Sequence, residues 1–178
     1  MEVEEALIER ARAGDSAALE DLLAQISPLV ARQCRRVLLH PQDAEEATQD
    51  ALLVIATKFG TWSGRGSFEA WAAMVATNQA RMTYRALRRR FLERGLDGTA
   101  DLADPVRTSV VAGTRLDLLD AIEALEARHP ETVEAFVMRE LGSLPYDEIA
   151  ERTGARLGTV KARIHTARVF VREHWKDR

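Results

Sequence analysis

The stretch Leu144-Pro145-Tyr146-Asp147-Glu148-Ile149-Ala150-Glu151-Arg152-Thr153-Gly154, continued by Leu157-Gly158-Thr159-Val160-Lys161-Ala162-Arg163-Ile164-His165-Thr166-Ala167-Arg168, decides how the chain folds. Pro145–Thr153 reads as a short helix and Leu157–Trp175 as a longer one. Gly154 between them can take the left-handed conformation that ends a helix. The order and lengths are those of a helix-turn-helix, which lays its second helix in the DNA major groove. At about 100° per residue, Val160, Ile164, Ala167 and Val171 share one face, expected to pack on Ile149, Ala150 and Phe136. Ala162, His165, Thr166 and Val169 fall opposite, with Lys161 and Arg168 on one shoulder and Arg163 on the other. Short and polar residues then face base edges while the cations reach phosphates. An isolated basic helix is as often a merely solvated face. The preceding helix, the turn glycine and the charge placement together favour DNA.

Charge confines that expectation. The 178 residues carry a net charge of −3, so DNA contact must come from local segregation rather than from a bulk basic field. Segregation is visible: Met1–Glu9 holds four acids and no base, Arg81–Arg94 six arginines against one acid, and Lys161–Arg172 four bases and no acid. The single cysteine, Cys34, excludes an internal disulfide and suits a reducing compartment. No apolar run is long enough to span a membrane, and the acidic N-terminus is unlike a signal peptide, so a cytoplasmic protein without membrane insertion is expected. His40, His129, His165 and His174 are dispersed, Cys34 lacks a neighbouring base, and neither a phosphate-binding glycine loop nor metal-ligand spacing occurs. No metal, cofactor or catalytic site is expected.

Helical periodicity dominates, which makes the expected fold class all-α. Helices are predicted at about Glu4–Arg12, Ser16–Val37, Asp43–Phe59 and Ser67–Phe91, with a bend or break at Pro28 because proline removes a donor and crowds the preceding turn. Gly95–Gly113 changes character to Gly, Thr, Asp and Pro and reads as a flexible acidic linker. Helices resume at about Leu116–Leu125, Pro130–Leu141, Pro145–Thr153 and Leu157–Trp175. Two small helical domains joined by a linker follow, over 1–94, 95–114 and 115–178.

Within the first domain, Asp43–Phe59 turns Ala44, Ala47, Ala51, Val54 and Ile55 inward and Glu46, Gln49, Asp50, Leu53 and Thr57 outward. An acidic outer face is usually only solvated, but an outward leucine among these polar groups also suits docking to another protein. Thr61–Ser67, with Trp62, Gly64, Arg65 and Gly66, reads as a loop closed by Ser67 as N-cap. It suits either stacking on an unpaired strand or a surface turn with a half-buried tryptophan. Beyond it, Phe68, Trp71, Val75, Met82 and Leu87 form an apolar stripe that also carries Asn78. A paired core amide and a pocket group reading a base both fit Asn78. Arg81, Arg85, Arg88, Arg89 and Arg90 wind round the helix as a collar suited to phosphate contact.

Taken together, these motifs resemble the bacterial extracytoplasmic-function (ECF) sigma factors, the smallest members of the main sigma family. Asp43-Ala44-Glu45-Glu46 followed by Gln49-Asp50 is similar to the family's polymerase-docking motif in region two. Phe68, Trp71, Val75-Ala76 and Asn78 with the arginine cluster resemble the segment that melts and reads the minus-ten element. Leu144–Arg168, with Gly158-Thr159-Val160-Lys161-Ala162-Arg163, resembles region four, which reads the minus-thirty-five element. The resemblance implies core RNA polymerase (β′ clamp helices and β flap), promoter DNA and an anti-sigma factor as partners. It puts Asp43, Glu46, Gln49, Asp50 and Leu53 at the polymerase. Arg65, Ser67, Phe68, Asn78, Arg81, Arg85, Arg88 and Arg89 would meet the downstream element, with the loop and Asn78 holding a flipped base. Thr159, Lys161, Ala162, Arg163, His165, Thr166 and Arg168 would meet the upstream one. Ala162 stands where serine is common and Thr166 where arginine is common, which implies an altered upstream sequence. Met82 replaces a frequent aspartate and Arg156 a common N-cap serine. A stand-alone helix-turn-helix regulator, needing only the C-terminal unit and usually dimerising on a palindrome, is the alternative.

Overall fold

Helix α2 (Ser16–Val37) is the spine of the first half, and its sequence shows why. Leu22, Ile26, Val30, Cys34 and Val37 recur at helical spacing and are all buried. Asp15 caps the helix by accepting the Ala18 N–H at 3.1 Å, and that bond, reinforced by the Arg10 guanidinium, holds its carboxyl below the usual carboxylate range. A computed structural model describes residues 3–96 and 110–176. Around α2 lie α1 (Glu5–Arg12), α3 (Pro41–Lys58) and α4 (Phe68–Leu96), with a 3-10 turn at Phe59–Thr61 after α3. The second half comprises α5 (Val110–Arg128), α6 (Pro130–Glu140), α7 (Tyr146–Thr153) and α8 (Leu157–Lys176). Among the described residues there is no strand. Pro41 and Pro130 open their helices at a position where the missing N–H has no helical partner to lose.

Three expectations change. Of the bend or break expected at Pro28, the break does not occur, and α2 runs through it as one helix. Pro28 and Ala24, whose carbonyl loses its donor, are both exposed, so the orphaned oxygen faces water rather than the core. The α4 core is not the stripe of large residues. Ala70, Ala72, Ala73, Met74, Ala76, Thr77 and Ala80 are buried with Phe68, Trp71, Val75 and Leu87 lie at the margin, and Met82 is 60% exposed. Alanines bring backbones together: the Cys34 thiol donates to the Ala76 carbonyl across the α2–α4 seam at 3.8 Å. Burial raises the pKa of that thiol, which makes it a core group. Finally, α4 continues to residue 96 and α5 begins at residue 110, so both reach into the expected linker, whose residues 97–109 lie outside the described residues.

The second bundle follows its periodicity closely. Leu119, Ile122 and Leu125 of α5, Val133, Phe136 and Val137 of α6, Ile149 of α7, and Val160, Ile164, Ala167 and Val171 of α8 form its core. Gly154 closes α7 in the left-handed conformation at φ 64°, as its position predicts. The bundles also pack on one another. At Gly142 an added Cβ would stand 2.7 Å from the Met138 carbonyl and 3.1 Å from Met74 Sδ of α4. Gln33 donates to the Gly142 carbonyl at 3.4 Å, and Arg36 to the Ser143 hydroxyl at 2.6 Å.

Candidate polymerase and nucleic-acid interfaces

The outward face of α3 is open. Glu46, Gln49, Asp50, Leu53 and Thr57 are exposed, while Ala44, Ala47, Ala51 and Ile55 are buried beneath them. Val54, expected inward, and Asp43 are half-buried. Leu53 is 65% exposed, the most exposed large apolar side chain among the described residues. Asp50 accepts from Gln79 Nε2 of α4 at 3.2 Å, which steadies that carboxylate beside the leucine.

α8 presents its reading face as its wheel predicts. Thr159, Lys161, Ala162, His165, Thr166 and Arg168 are exposed above the buried Val160, Ile164 and Ala167. Arg163 and Val169 are half-buried, so Val169 belongs to the packing margin rather than the reading face. Arg168 donates from Nε and Nη2 to Glu140 Oε1 of α6 at 2.9 and 2.7 Å, and this bond raises its pKa further. That ion pair orients the side chain at the edge of the reading surface.

The region around α4 differs more from expectation. Phe68 is 1% exposed and cannot meet DNA: it is the hub of an aromatic cluster with Phe59, Trp62 and Trp71, at centroid separations of 5.6, 5.3 and 5.6 Å. Its role is to seat the loop. Trp62 is half-buried on that cluster with the Arg12 guanidinium 4.6 Å over its ring, which settles it as a packing residue. Arg65 and Ser67 remain exposed. Ser67 does cap α4, its hydroxyl accepting the Ala70 N–H at 3.2 Å. Asn78 is exposed, and the buried polar residue beside it is Thr77, whose hydroxyl donates to the Ala73 carbonyl at 2.8 Å. Asn78 lines a cleft of about 290 Å³ with Met74, Arg81, Glu126, Glu134 and Arg152. It lies three turns along α4 from Ser67, roughly 16 Å by helical rise, so the two do not converge on one point.

Arg81, Arg85 and Arg88 of α4 are occupied. Arg81 donates to Glu126 at 3.0 Å, Arg85 pairs with both Glu126 and Glu123, and Arg88 meets Glu123 at 2.7 Å and Asp120 at 3.3 Å. Arg81 is more than half buried, and that burial, followed by repulsion from Arg85, lowers its pKa. Arg89 is exposed at the rim of the same surface. Tyr84 donates to Asp120 at 3.0 Å; burial first, then this bond, pushes its pKa well up. The partners Asp120, Glu123 and Glu126 belong to none of the motifs legible in the sequence. Their i, i+3, i+6 spacing, matching arginines at 81, 85 and 88, is the signal that would have found them.

Residues 22–90 match the family model for Sigma-70 region 2, and residues 115–171 that for Sigma-70, region 4. The chain is 33% identical over 167 residues to the ECF RNA polymerase sigma factor SigF of Caulobacter vibrioides, covering 91% of this chain and 88% of that one. The chain belongs to the ECF sigma factors. It is also 29% identical to the ECF RNA polymerase sigma factor SigE of Mycolicibacterium smegmatis over 90% of its own length, and spans 64% of that protein's length. A solved structure of CnrH in complex with the cytosolic domain of CnrY shares the fold at a TM-score of 0.52 and 18% identity, covering 97% of this chain and 96% of that one. The family is one of transcription initiation factors. Within it, most of α2, all of α3 and most of α4 fall in region two, and most of α5, all of α6 and α7 and most of α8 in region four.

Proposed function

We propose that this sigma factor docks on the β′ clamp helices of core RNA polymerase through Asp43, Glu46, Gln49, Asp50 and Leu53, and also meets the β flap. Thr159, Lys161, Ala162, Arg163, His165, Thr166 and Arg168 contact the upstream promoter element. Arg65, Ser67, Asn78 and the arginines of α4 contact the downstream element as it opens. The observation that carries this reading is the pair of exposed faces, a leucine-centred docking face on α3 and a polar and basic reading face on α8, in one chain. The chain catalyses no reaction of its own in this reading and acts in the cytoplasm. Among the described residues no helix is long and apolar enough to cross a membrane. An anti-sigma factor, a frequent regulator in this family, holds it inactive until a signal arrives.

Run-off transcription tests the proposal. Purified chain plus core polymerase initiates from promoters recovered by selecting genomic DNA with holoenzyme, while either component alone does not. If the chain instead binds a palindromic duplex tightly without polymerase, and adds no promoter preference to core enzyme, it is a stand-alone regulator and the proposal is wrong.

A further inference from the structure

The loop that carries Arg65 and Ser67 is braced by α1, a helix that precedes the residues matched by region two. α1 is anchored by Leu7, Ile8 and Ala11, all buried, and the Val3 N–H before it donates to Glu69 in the first turn of α4. Its last residue, Arg12, reaches over the loop. The guanidinium lies 4.6 Å over the Trp62 ring and donates from Nη2 to the Trp62 carbonyl at 3.3 Å. The same nitrogen would stand 3.4 Å from a Cβ added at Gly64. Glu9, one turn back, accepts from Nη1 at 3.2 Å and steadies the fork. The buried Phe68 meets the Trp62 indole at a centroid separation of 5.3 Å. The indole N–H is itself buried and finds no acceptor among the described residues, so stacking and packing set the angle of the ring. Gly64 and Gly66, at φ 75° and 68°, leave the loop little stiffness of its own. Every one of these contacts lies within the first half of the chain.

We propose that Arg12 is a positioning residue for promoter reading. By clamping Trp62 it fixes the path of Gly64–Ser67, and with it the geometry in which Arg65 and Ser67 meet the opened downstream strand. The proposal rests on the reading of that loop as a DNA contact. A base contact discriminates only while its groups are held within about 0.5 Å of the productive geometry, and a glycine-rich loop needs outside support for that. Arg12 supplies the support from 50 residues away, without touching DNA. A lysine there keeps the charge but loses the planar fork that stacks on the indole while it bonds the carbonyl.

Holoenzyme made with the full chain, on pre-melted templates randomised across the downstream element, tests this. Arg65→Ala and Ser67→Ala first locate the base position that the loop reads. Arg12→Ala should cut discrimination at that same position about tenfold, the scale of one specific base contact. Core binding and upstream preference should change by less than about twofold, and the thermal midpoint by no more than a surface substitution allows. Arg12→Lys should fail to restore the discrimination. With Trp71→Phe and Trp175→Phe, Trp62 is the one remaining tryptophan, and Arg12→Ala should then shift its emission to the red. Rescue by lysine, with a salt slope lowered by about one in the alanine variant, would make Arg12 a phosphate contact and overturn the proposal. A lowered midpoint with a proportional loss of every activity would make Arg12 merely structural. If Arg65→Ala and Ser67→Ala define a position and Arg12→Ala leaves discrimination there intact, the loop reading stands and the positioning role fails, whatever the Trp62 emission does. If Arg65→Ala and Ser67→Ala alter discrimination nowhere, the loop is not a DNA contact and both ideas fall.

Discussion

At the scale of single residues, burial separates side chains that hold the fold from those that can meet a ligand. Phe68 and Thr77 are interior, whereas Asn78, between Thr77 and the Arg81 turn, is exposed in the inter-region cleft. A core amide would leave unpaired donors on truncation and cost about 1–3 kcal/mol. An exposed one leaves its partners to water. Asn78→Ala should therefore keep the thermal midpoint within about a degree or two of the parent, in line with surface substitutions of less than ~0.5 kcal/mol. If Asn78 reads an extruded base, the variant should bind closed promoter duplex with polymerase almost normally and open it poorly. On a pre-melted template the defect should sit at one base position, because a lost specific contact costs roughly 1–3 kcal/mol. A proportional fall in every activity together with a lowered melting midpoint would make the asparagine structural.

At the scale of elements, α3 and α8 obey their periodicity and α4 does not, for a physical reason. α8 buries Val160, Ile164, Ala167 and Val171 and α3 buries Ala44, Ala47, Ala51 and Ile55, so each outward face follows from its inward one. Leu53 is the clearest consequence. Leu53→Asp should weaken binding to core polymerase at least tenfold, the loss of a hydrophobic hot spot, and leave the far-UV helical signal unchanged. Lost helicity would mean that Leu53 supports the fold, and unchanged binding would remove it from the interface. In α4 the core is largely alanine and the large residues are marginal, because its task is close approach to α2 and α3 rather than filling volume. Alanine carries little hydrophobic signal, so the stripe of large residues follows the margin of the core at Trp71 and Leu87, takes in the exposed Met82, and puts the exposed Asn78 on the inward side. The loop after α3 was legible in its N-cap, Ser67, but the packing of Trp62 under Arg12 depends on residues 50 positions apart.

At the scale of the molecule, the association of the two regions joins residues that no local pattern connects. The pairs between α4 and α5 link positions 32 to 45 residues apart, and Glu148 reaches Ser67 across 81. The arginines stand out by their local density, but a collar of cations looks the same whether it awaits DNA or grips a neighbouring helix. Tyr84 offers a way to watch that grip. It is half-buried between the regions, donates to Asp120, and has Arg88 and Glu123 as its charged neighbours; partial burial, then Asp120, drives its pKa above the usual tyrosine value of about 10, against a smaller opposing pull from Arg88. The sign follows from linkage. A group whose pKa is raised on folding contributes stability that is fully present below its unfolded pKa and is lost as pH rises through the folded one. The contact should therefore be insensitive to this group through neutral pH and loosen only in strong alkali. The chain has two tyrosines, so Tyr146→Phe leaves Tyr84 as the only source of tyrosinate absorbance. In that variant the alkaline titration should run well above the ordinary range while circular dichroism stays helical. Adding Glu123→Gln and Glu126→Gln should bring the titration back towards about 10 as the regions part and water reaches the phenol. A Tyr84 that titrates normally in the otherwise unaltered protein would mean that the regions are already apart in solution.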